Sequence, residues 1–443
     1  MKRKIIKKKT PYRFLTCIKI LAVFLMCLEF KLGYSQKFNP HEFTFNGYIR
    51  TGIGRTDGEQ MVDFVTPENV HKFRMGNEAN HYSELQFNYR YKNKDSVNLY
   101  EVTYMMSKYI PYGSDDYKDF PETAQLYGKI NKVINGADIW MGKRYYDRRN
   151  IEALDYFWLN SAQNSQVGIG IENYKIKNSG NLNLAFMEFS YPANPDYYSY
   201  VADLRYLDIP LTEHSKVNLV GQLSSLSKNK EANRSGHSGY GIGGWWTYSK
   251  GNISHTSSII FRKGSSVVAN GYTGKTVSEY NDATRIYDLG KANTLDITHN
   301  FVYDDKIKNA VQAIMTYQYN DYGVGNIDSE GMILDHKRAK NWFSIGFRYL
   351  YYINKHFNLA LEAGNDYMKS SKLGIEGSLQ KITFSPQITW NYGYYSRPVI
   401  RPFVTYAHWS DSFRGITGVS SFNTKLKNKN QGFTAGLQLE VWW

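Results

Sequence analysis

Cysteine is nearly missing from this sequence of 443 residues: there are two, Cys17 and Cys27, and both lie in the first 35 residues. A disulfide-stapled secreted fold is thereby excluded for everything beyond residue 35. Proline is also scarce, with 11 residues, so the Pro-rich linkers that would divide a string of domains are absent. No stretch of about 20 uninterrupted apolar residues occurs, which excludes a bundle of transmembrane helices. Disorder is excluded as well, because Phe, Trp and Tyr together make up 16% of the chain. Local catalytic and metal signatures are equally lacking, since there is no G-x-S-x-G and the 10 His show no H-E-x-x-H spacing. Gly239, Gly241 and Gly244 have the G-x-G-x-x-G spacing, yet Trp245, Trp246 and Tyr248 stand where a helix should open, so they read as relief for a curved strand. No cofactor and no metal is therefore expected. An enzyme is not expected either, although a Ser and His drawn from separate strands would leave no local trace.

The formal charge of +14 invites a nucleic-acid partner, but its distribution argues otherwise. Nine of the 54 basic residues and one of the 40 acidic residues fall in the first 35 positions, which leaves 45 against 39, a net +6. That segment has a basic start, an apolar stretch from Phe14 to Leu28 interrupted by Lys19, and Gly33 and Ser35 at the −3 and −1 positions before Gln36. This is the pattern of a secretory signal peptide over 1–35, leaving a single domain over 36–443 and no call for nucleic acid. Met26 before Cys27 disfavours a lipoprotein signal, and the interrupted apolar stretch is short for a retained anchor.

What is present instead is period-two alternation. Tyr82, Glu84, Gln86, Asn88 and Arg90 share one face of a strand whose other face carries Leu85, Phe87, Tyr89 and Tyr91. The pattern recurs at 310–320, where Val311, Ala313, Met315, Tyr317 and Tyr319 oppose Gln312, Thr316, Gln318 and Asn320. It returns at 382–391, and again where Phe433, Ala435, Leu437, Leu439, Val441 and Trp443 oppose Thr434, Gly436, Gln438, Glu440 and Trp442. Short turns (Asn93-Lys94-Asp95, Asn178-Ser179-Gly180, Asn354-Lys355) alternate with long polar stretches at 107–122, 262–292, 320–340 and 409–431. Strands of this kind predict an all-β, transmembrane antiparallel β-barrel, because only a closed sheet satisfies every backbone polar group in lipid. The length accommodates 16 to 18 strands at about 23 to 25 residues for each strand and its connection. A soluble sandwich also alternates, but Tyr89, Tyr91, Trp390 and Trp443 near strand ends on the apolar face favour a membrane girdle.

Large aromatics on the polar face are the informative exceptions. Tyr48 and Arg50 share the polar parity of the first strand with Thr44, Asn46 and Gly52; Tyr82 lies beside Glu84; Trp442 lies beside Glu440; Tyr395 shares parity with Arg397 and Arg401. Aromatic rings beside charged and amide groups suit sugars, whose C–H faces pack on rings while their hydroxyls need donors and acceptors. Stacking of this kind also tolerates sliding, and a channel needs sites that release as well as bind.

These residues resemble the maltoporins, sugar-selective outer-membrane channels. The resemblance is carried by Phe45-Asn46-Gly47-Tyr48-Ile49-Arg50-Thr51-Gly52-Ile53-Gly54, Lys72-Phe73-Arg74-Met75-Gly76-Asn77-Glu78 and Tyr82-Ser83-Glu84-Leu85. It continues through 139–148 and Asp155-Tyr156-Phe157-Trp158 to Ser396-Arg397-Pro398-Val399-Ile400-Arg401 and Leu439-Glu440-Val441-Trp442-Trp443; the middle, about 195–340, aligns only loosely. The resemblance implies 18 strands, long outer loops folding into the pore, a homotrimer in outer-membrane lipid, and a carbohydrate substrate such as maltose or a malto-oligosaccharide. It places Tyr48, Tyr82, Tyr395 and Trp442 on an aromatic slide and Arg50, Arg74, Glu84, Arg148 and Asp155 on a flanking charged track, with Phe157 where a pore-narrowing Tyr is usual. Asn150 stands where an acid is common, Glu122 falls near an expected Arg, and 252–255 lacks the slide aromatic expected there, which leaves the preferred sugar open. The competing readings are an anion-selective or general porin, an outer-membrane lipid hydrolase and a soluble lectin-like sheet.

Overall fold

The alternation has one geometric outcome. In the computed structural model each long period-two segment is a strand, and the strands join into one sheet closed on itself. The structure describes residues 39–443 except 96, 115–117, 162–166, 178, 192–193, 229–235, 270–284, 288, 322, 328–332, 336–338, 372 and 417–425. The expected signal segment 1–35, and Asn178 of one expected turn, lie outside the described residues. The main sheet has 19 strands, and without the two-residue strand Glu59–Gln60 it is an 18-stranded antiparallel barrel. Closure is made by the last strand, Gln431–Trp442, against the first, His41–Thr56, in register from Tyr48↔Trp442 to Thr56↔Thr434.

Side chains sort as the parity requires. Phe43, Ile53, Phe87, Ile382, Phe384, Ile388, Phe433 and Leu437 point outward and are exposed, while Gln312, Thr316, Gln318, Thr383, Ser385, Thr434 and Gln438 are buried inside. Rings collect near strand ends on the outer face: Tyr91 stacks on Tyr100 with centroids 5.3 Å apart, and Trp390 is 70% exposed. An outer face of this kind is stable against hydrocarbon, not water. Gly239, Gly241 and Gly244 lie within strand His237–Lys250, followed by more strand rather than a helix.

The four long connections are each slightly shorter than expected, since strands run on to Pro111, Gly264, Asp321 and Trp409 and resume at Glu122, Asn293, Ala339 and Gln431. Some connections depart from the short-and-long scheme. The link 371–374 is short at the loop end, and 390–398 is long at the turn end, where it bends inward and buries Tyr394. Tyr394 donates its hydroxyl to Gln312 Oε1 at 2.7 Å and its amide to Asp304 Oδ2 at 2.8 Å.

The polar lumen expected from parity is only part of the interior. Residues 61–79 and 144–161 fold into the barrel and pack on its inner wall. Ile151, Leu154, Tyr156, Trp158 and Phe73 join the inward Val220, Trp245, Ile260, Ile314 and Trp342 in one buried apolar cluster. Apolar residues of an inserted loop need apolar partners, so the wall supplies them where the loop lies. Phe73 seats on Gly346 and Gly364, paired across two strands; a Cβ at Gly364 would lie 2.0 Å from the Phe73 ring.

Polar anchors hold the same loops. Arg205 bonds Asp203 Oδ1 at 2.8 Å and Asp147 Oδ2 at 3.0 Å, and Arg262 bonds Asp296 Oδ2 at 2.7 Å beside the Tyr156 hydroxyl. Asn77 closes the first loop on itself, donating to Phe64 O at 2.8 Å and Phe73 O at 3.0 Å. Gly76 has φ +63°, and a Cβ there would meet Thr405 Oγ1 at 2.4 Å, so the close approach of this loop to the wall requires glycine.

Candidate functional site

The inserted loops cover the wall formed by strands from Asn194–Thr212 round to Val399–Trp409. They leave a cavity of about 850 Å³ against the remaining side. From the wall it is lined by Tyr48, Arg50, Asn80, Tyr82, Glu84, Tyr109 and Trp442, and from the loops by Asp63, Glu68, Lys72, Arg74, Arg148, Asn150, Glu152, Asp155 and Phe157, among others. Nine of the ten expected site residues therefore meet in one place: Tyr48, Tyr82, Trp442, Arg50, Arg74, Glu84, Arg148, Asp155 and Phe157. Tyr395 does not line this cavity. It lies in the inward-bent 390–398 link, 44% exposed, with its ring edge-on to Tyr394 at 4.8 Å. No residue of 252–255 lines the cavity either.

Three rings form a row. Tyr48 lies 5.9 Å from Tyr82 and 6.4 Å from Trp442, near parallel to the latter at 26°. The row follows from register: Tyr48 pairs with Trp442 on one side and with Glu84 on the other, while Arg50 pairs with Tyr82 and with Glu440. Tyr82 donates its hydroxyl to Glu84 at 2.7 Å.

Charged groups divide into those already paired and those turned to the cavity. Arg50 bonds Glu78 at 2.5 Å and Asn80 Oδ1 at 2.5 Å; Arg74 bonds Glu78 at 2.8 Å, Glu152 at 3.0 Å and Tyr48 Oη at 2.9 Å; Lys72 bonds Asp63 at 3.0 Å. These cations are held in place by their partners. Arg148 forms no ion pair among the described residues and lies over the Tyr145 ring at 3.6 Å and Phe157 at 4.8 Å. Asp155, held with φ +51° at the end of the one-turn helix Glu152–Leu154, likewise pairs with no cation among the described residues. Its burial would raise its carboxyl, but the charges of Arg74, Lys72 and Arg50 outweigh that and hold it below the ordinary aspartate range. Arg148, Glu84, Asp155 and Asn150 are thus the polar groups offered to a guest.

Reasoning from the sequence names Glu440, Arg397 and Arg401 only as polar-face neighbours of the rings and gives no role to Glu78 or Glu152. Glu440 accepts from Tyr48 at 2.8 Å, from Arg397 at 2.7 Å and from Arg401 at 2.5 Å. Glu152 bridges Arg74, Arg348 at 3.2 Å and Arg397 at 3.4 Å, and Glu362 holds Arg348 at 2.6 Å and Lys381 at 2.9 Å. Inward parity would flag Glu440 and Arg401, but Glu78, Glu152 and Arg397 sit in irregular loops where parity says nothing.

Comparison with known proteins gives one match over nearly all of the described chain: a family model described as LamB porin, aligned to residues 43–443. Solved structures with a similar chain course include OmpT of Vibrio cholerae, with 8% identity, 93% of this chain and 100% of that one covered, and a TM-score of 0.38. OccAB1 of Acinetobacter baumannii shows 10% identity, covers 90% of this chain and 96% of that one, and has a TM-score of 0.44.

Proposed function

This chain belongs to the LamB porin family, an outer-membrane channel family rather than an enzyme family, and from that premise we propose that the protein passes carbohydrates, maltose and malto-oligosaccharides or related sugars, by selective passive diffusion. The observation that carries this reading is the row Tyr82, Tyr48, Trp442 on one side of a cavity whose other side offers Arg148, Asn150, Glu84 and Asp155. Rings take the apolar face of a pyranose and the unpaired polar groups take its hydroxyls, with no ion required.

The charges of the cavity disfavour an anion channel. Arg50, Lys72, Arg74 and Arg148 are set against Asp63, Glu68, Glu84, Glu152 and Asp155, and two of those arginines are consumed by buried carboxylates. The test is single-channel current in planar bilayers with a panel of sugars. Concentration-dependent block by linear glucose oligomers supports the reading, and strong anion selectivity with no block by any sugar overturns it. The mature chain is proposed to begin at Gln36 after loss of the signal peptide and to form a homotrimer, following the maltoporin resemblance. Mass measurement in detergent should give about three times the monomer mass, and N-terminal sequencing should start at residue 36.

A further inference from the structure

Glu440 stands where four chain segments meet, and its side chain is 1% exposed. Its two oxygens divide the neighbours between them. Oε1 takes the Tyr48 hydroxyl at 2.8 Å and Arg74 Nη2 at 3.3 Å; Oε2 takes Arg397 Nη2 at 2.7 Å and Arg401 Nη2 at 2.5 Å. Arg397 in turn places its guanidinium carbon over the Trp442 ring, 4.4 Å from the centroid. One oxygen is therefore bonded directly to Tyr48, the middle ring of the row, and the other holds the cation that lies over Trp442 at its end. The two rings belong to different strands, paired as Tyr48↔Trp442 two residues from Glu440.

We propose that Glu440 is a positioning and specificity-determining residue of the channel: it orients the faces of Tyr48 and Trp442 toward the cavity and, together with Glu78 and Glu152, balances Arg74, Arg397 and Arg401 around them, so that the surface selects a neutral guest. A carboxylate is suited to both tasks because it is the acceptor of charge-assisted bonds to several donors at once. With the carboxylate removed, Arg74 keeps Glu78 and Glu152 and Arg397 keeps Glu152, but Arg401 loses its carboxylate and the Tyr48 hydroxyl loses its acceptor, keeping the bond it receives from Arg74.

This inference rests on the carbohydrate reading for its sugar arm only, and two variants separate its parts. Glu440→Gln keeps the shape and removes the charge. It is expected to weaken sugar block by roughly three- to ten-fold and to move the zero-current potential in a salt gradient toward anions. Arg397→Lys keeps the charge and removes the planar group backing Trp442. It is expected to weaken sugar block by roughly two- to five-fold with the zero-current potential unmoved. Sugar block unchanged in Arg397→Lys overturns the positioning role, and it remains decisive if Glu440→Gln fails to insert. A zero-current potential unchanged in an inserted Glu440→Gln overturns the charge-cancelling role. A wild-type channel that no sugar blocks defeats the carbohydrate reading, and the potential shift still decides the charge role without sugar.

Discussion

Two stretches of the same inner wall follow the same alternation and end up in different physical states. From Asn194–Thr212 round to Val399–Trp409 the wall is covered: Phe73 sits on Gly346 and Gly364, Trp158 meets Trp245 with ring centroids 5.6 Å apart, and Arg205 and Arg262 tie the loop at 144–161 to buried aspartates. From Gln431–Trp442 across His41–Thr56 to Asn98–Pro111 the wall is left bare around Trp442, Tyr48 and Tyr82, whose rings line the cavity, while residues 61–79 touch it at Gly54, Gly432 and Glu440. The covered wall behaves as the core of a soluble protein, where each group has a partner and removal is felt as lost stability. On the bare wall the rings face the cavity, and under the carbohydrate proposal removal is felt as lost binding.

The strongest way to break this contrast is Phe73→Ala, which empties the glycine socket and should cost about 3–5 kcal/mol of stability. Its urea midpoint, followed by the heat-induced mobility shift in gels, should fall far below that of Tyr82→Ala; equal midpoints would show that the covered wall is no core. Gly364→Ala tests the socket from the other side, where a new methyl group collides with the Phe73 ring and should cost about 1–3 kcal/mol. Open-channel conductance should rise in both variants as residues 61–79 loosen, and unchanged conductance would detach that loop from the pore.

On the bare wall the expected effects are smaller and of another kind. Tyr82→Ala or Trp442→Ala should lose about 0.5–1.5 kcal/mol of sugar affinity, roughly a two- to twelve-fold weaker block, with the unfolding midpoint nearly unmoved. Binding constants from current fluctuation analysis that match wild type in both variants would refute the aromatic row. The smallest expected effect is that of pH. Because Asp155 is held below the ordinary aspartate range, its charge and the stability it contributes are complete above that range and are lost only as pH falls through its depressed value. Sugar block should therefore stay flat from pH 7 to about pH 5; a titration of block within that window would place a different group in control.

Much of the bare wall was legible in the sequence and little of the covered wall was. Tyr48, Arg50, Tyr82, Glu84 and Trp442 break a polar face with rings or charges, and parity alone puts them in the lumen at neighbouring register positions. Trp245, Ile260, Ile314 and Trp342 break the same polar face with apolar groups. In a strand read by itself that is noise, because their partners, Trp158 and Leu154 among them, lie far away in an irregular loop. The same limit hid the pairing of Glu78, Glu152 and Arg397, which depends on how loops turn. Tyr395 marks the opposite limit: 390–398 is not a strand, so parity does not place the residue, which lies outside the cavity lined by the other nine.

The register Tyr48↔Trp442 joins the first strand to the last, so the proposed binding surface straddles the seam of the barrel. During synthesis its two halves are made at opposite ends of the process, and neither half can hold a guest alone. Recognition is consequently a property that appears only with the final pairing step. A molecule that grips its substrate has, by that act, reported that its wall is sealed.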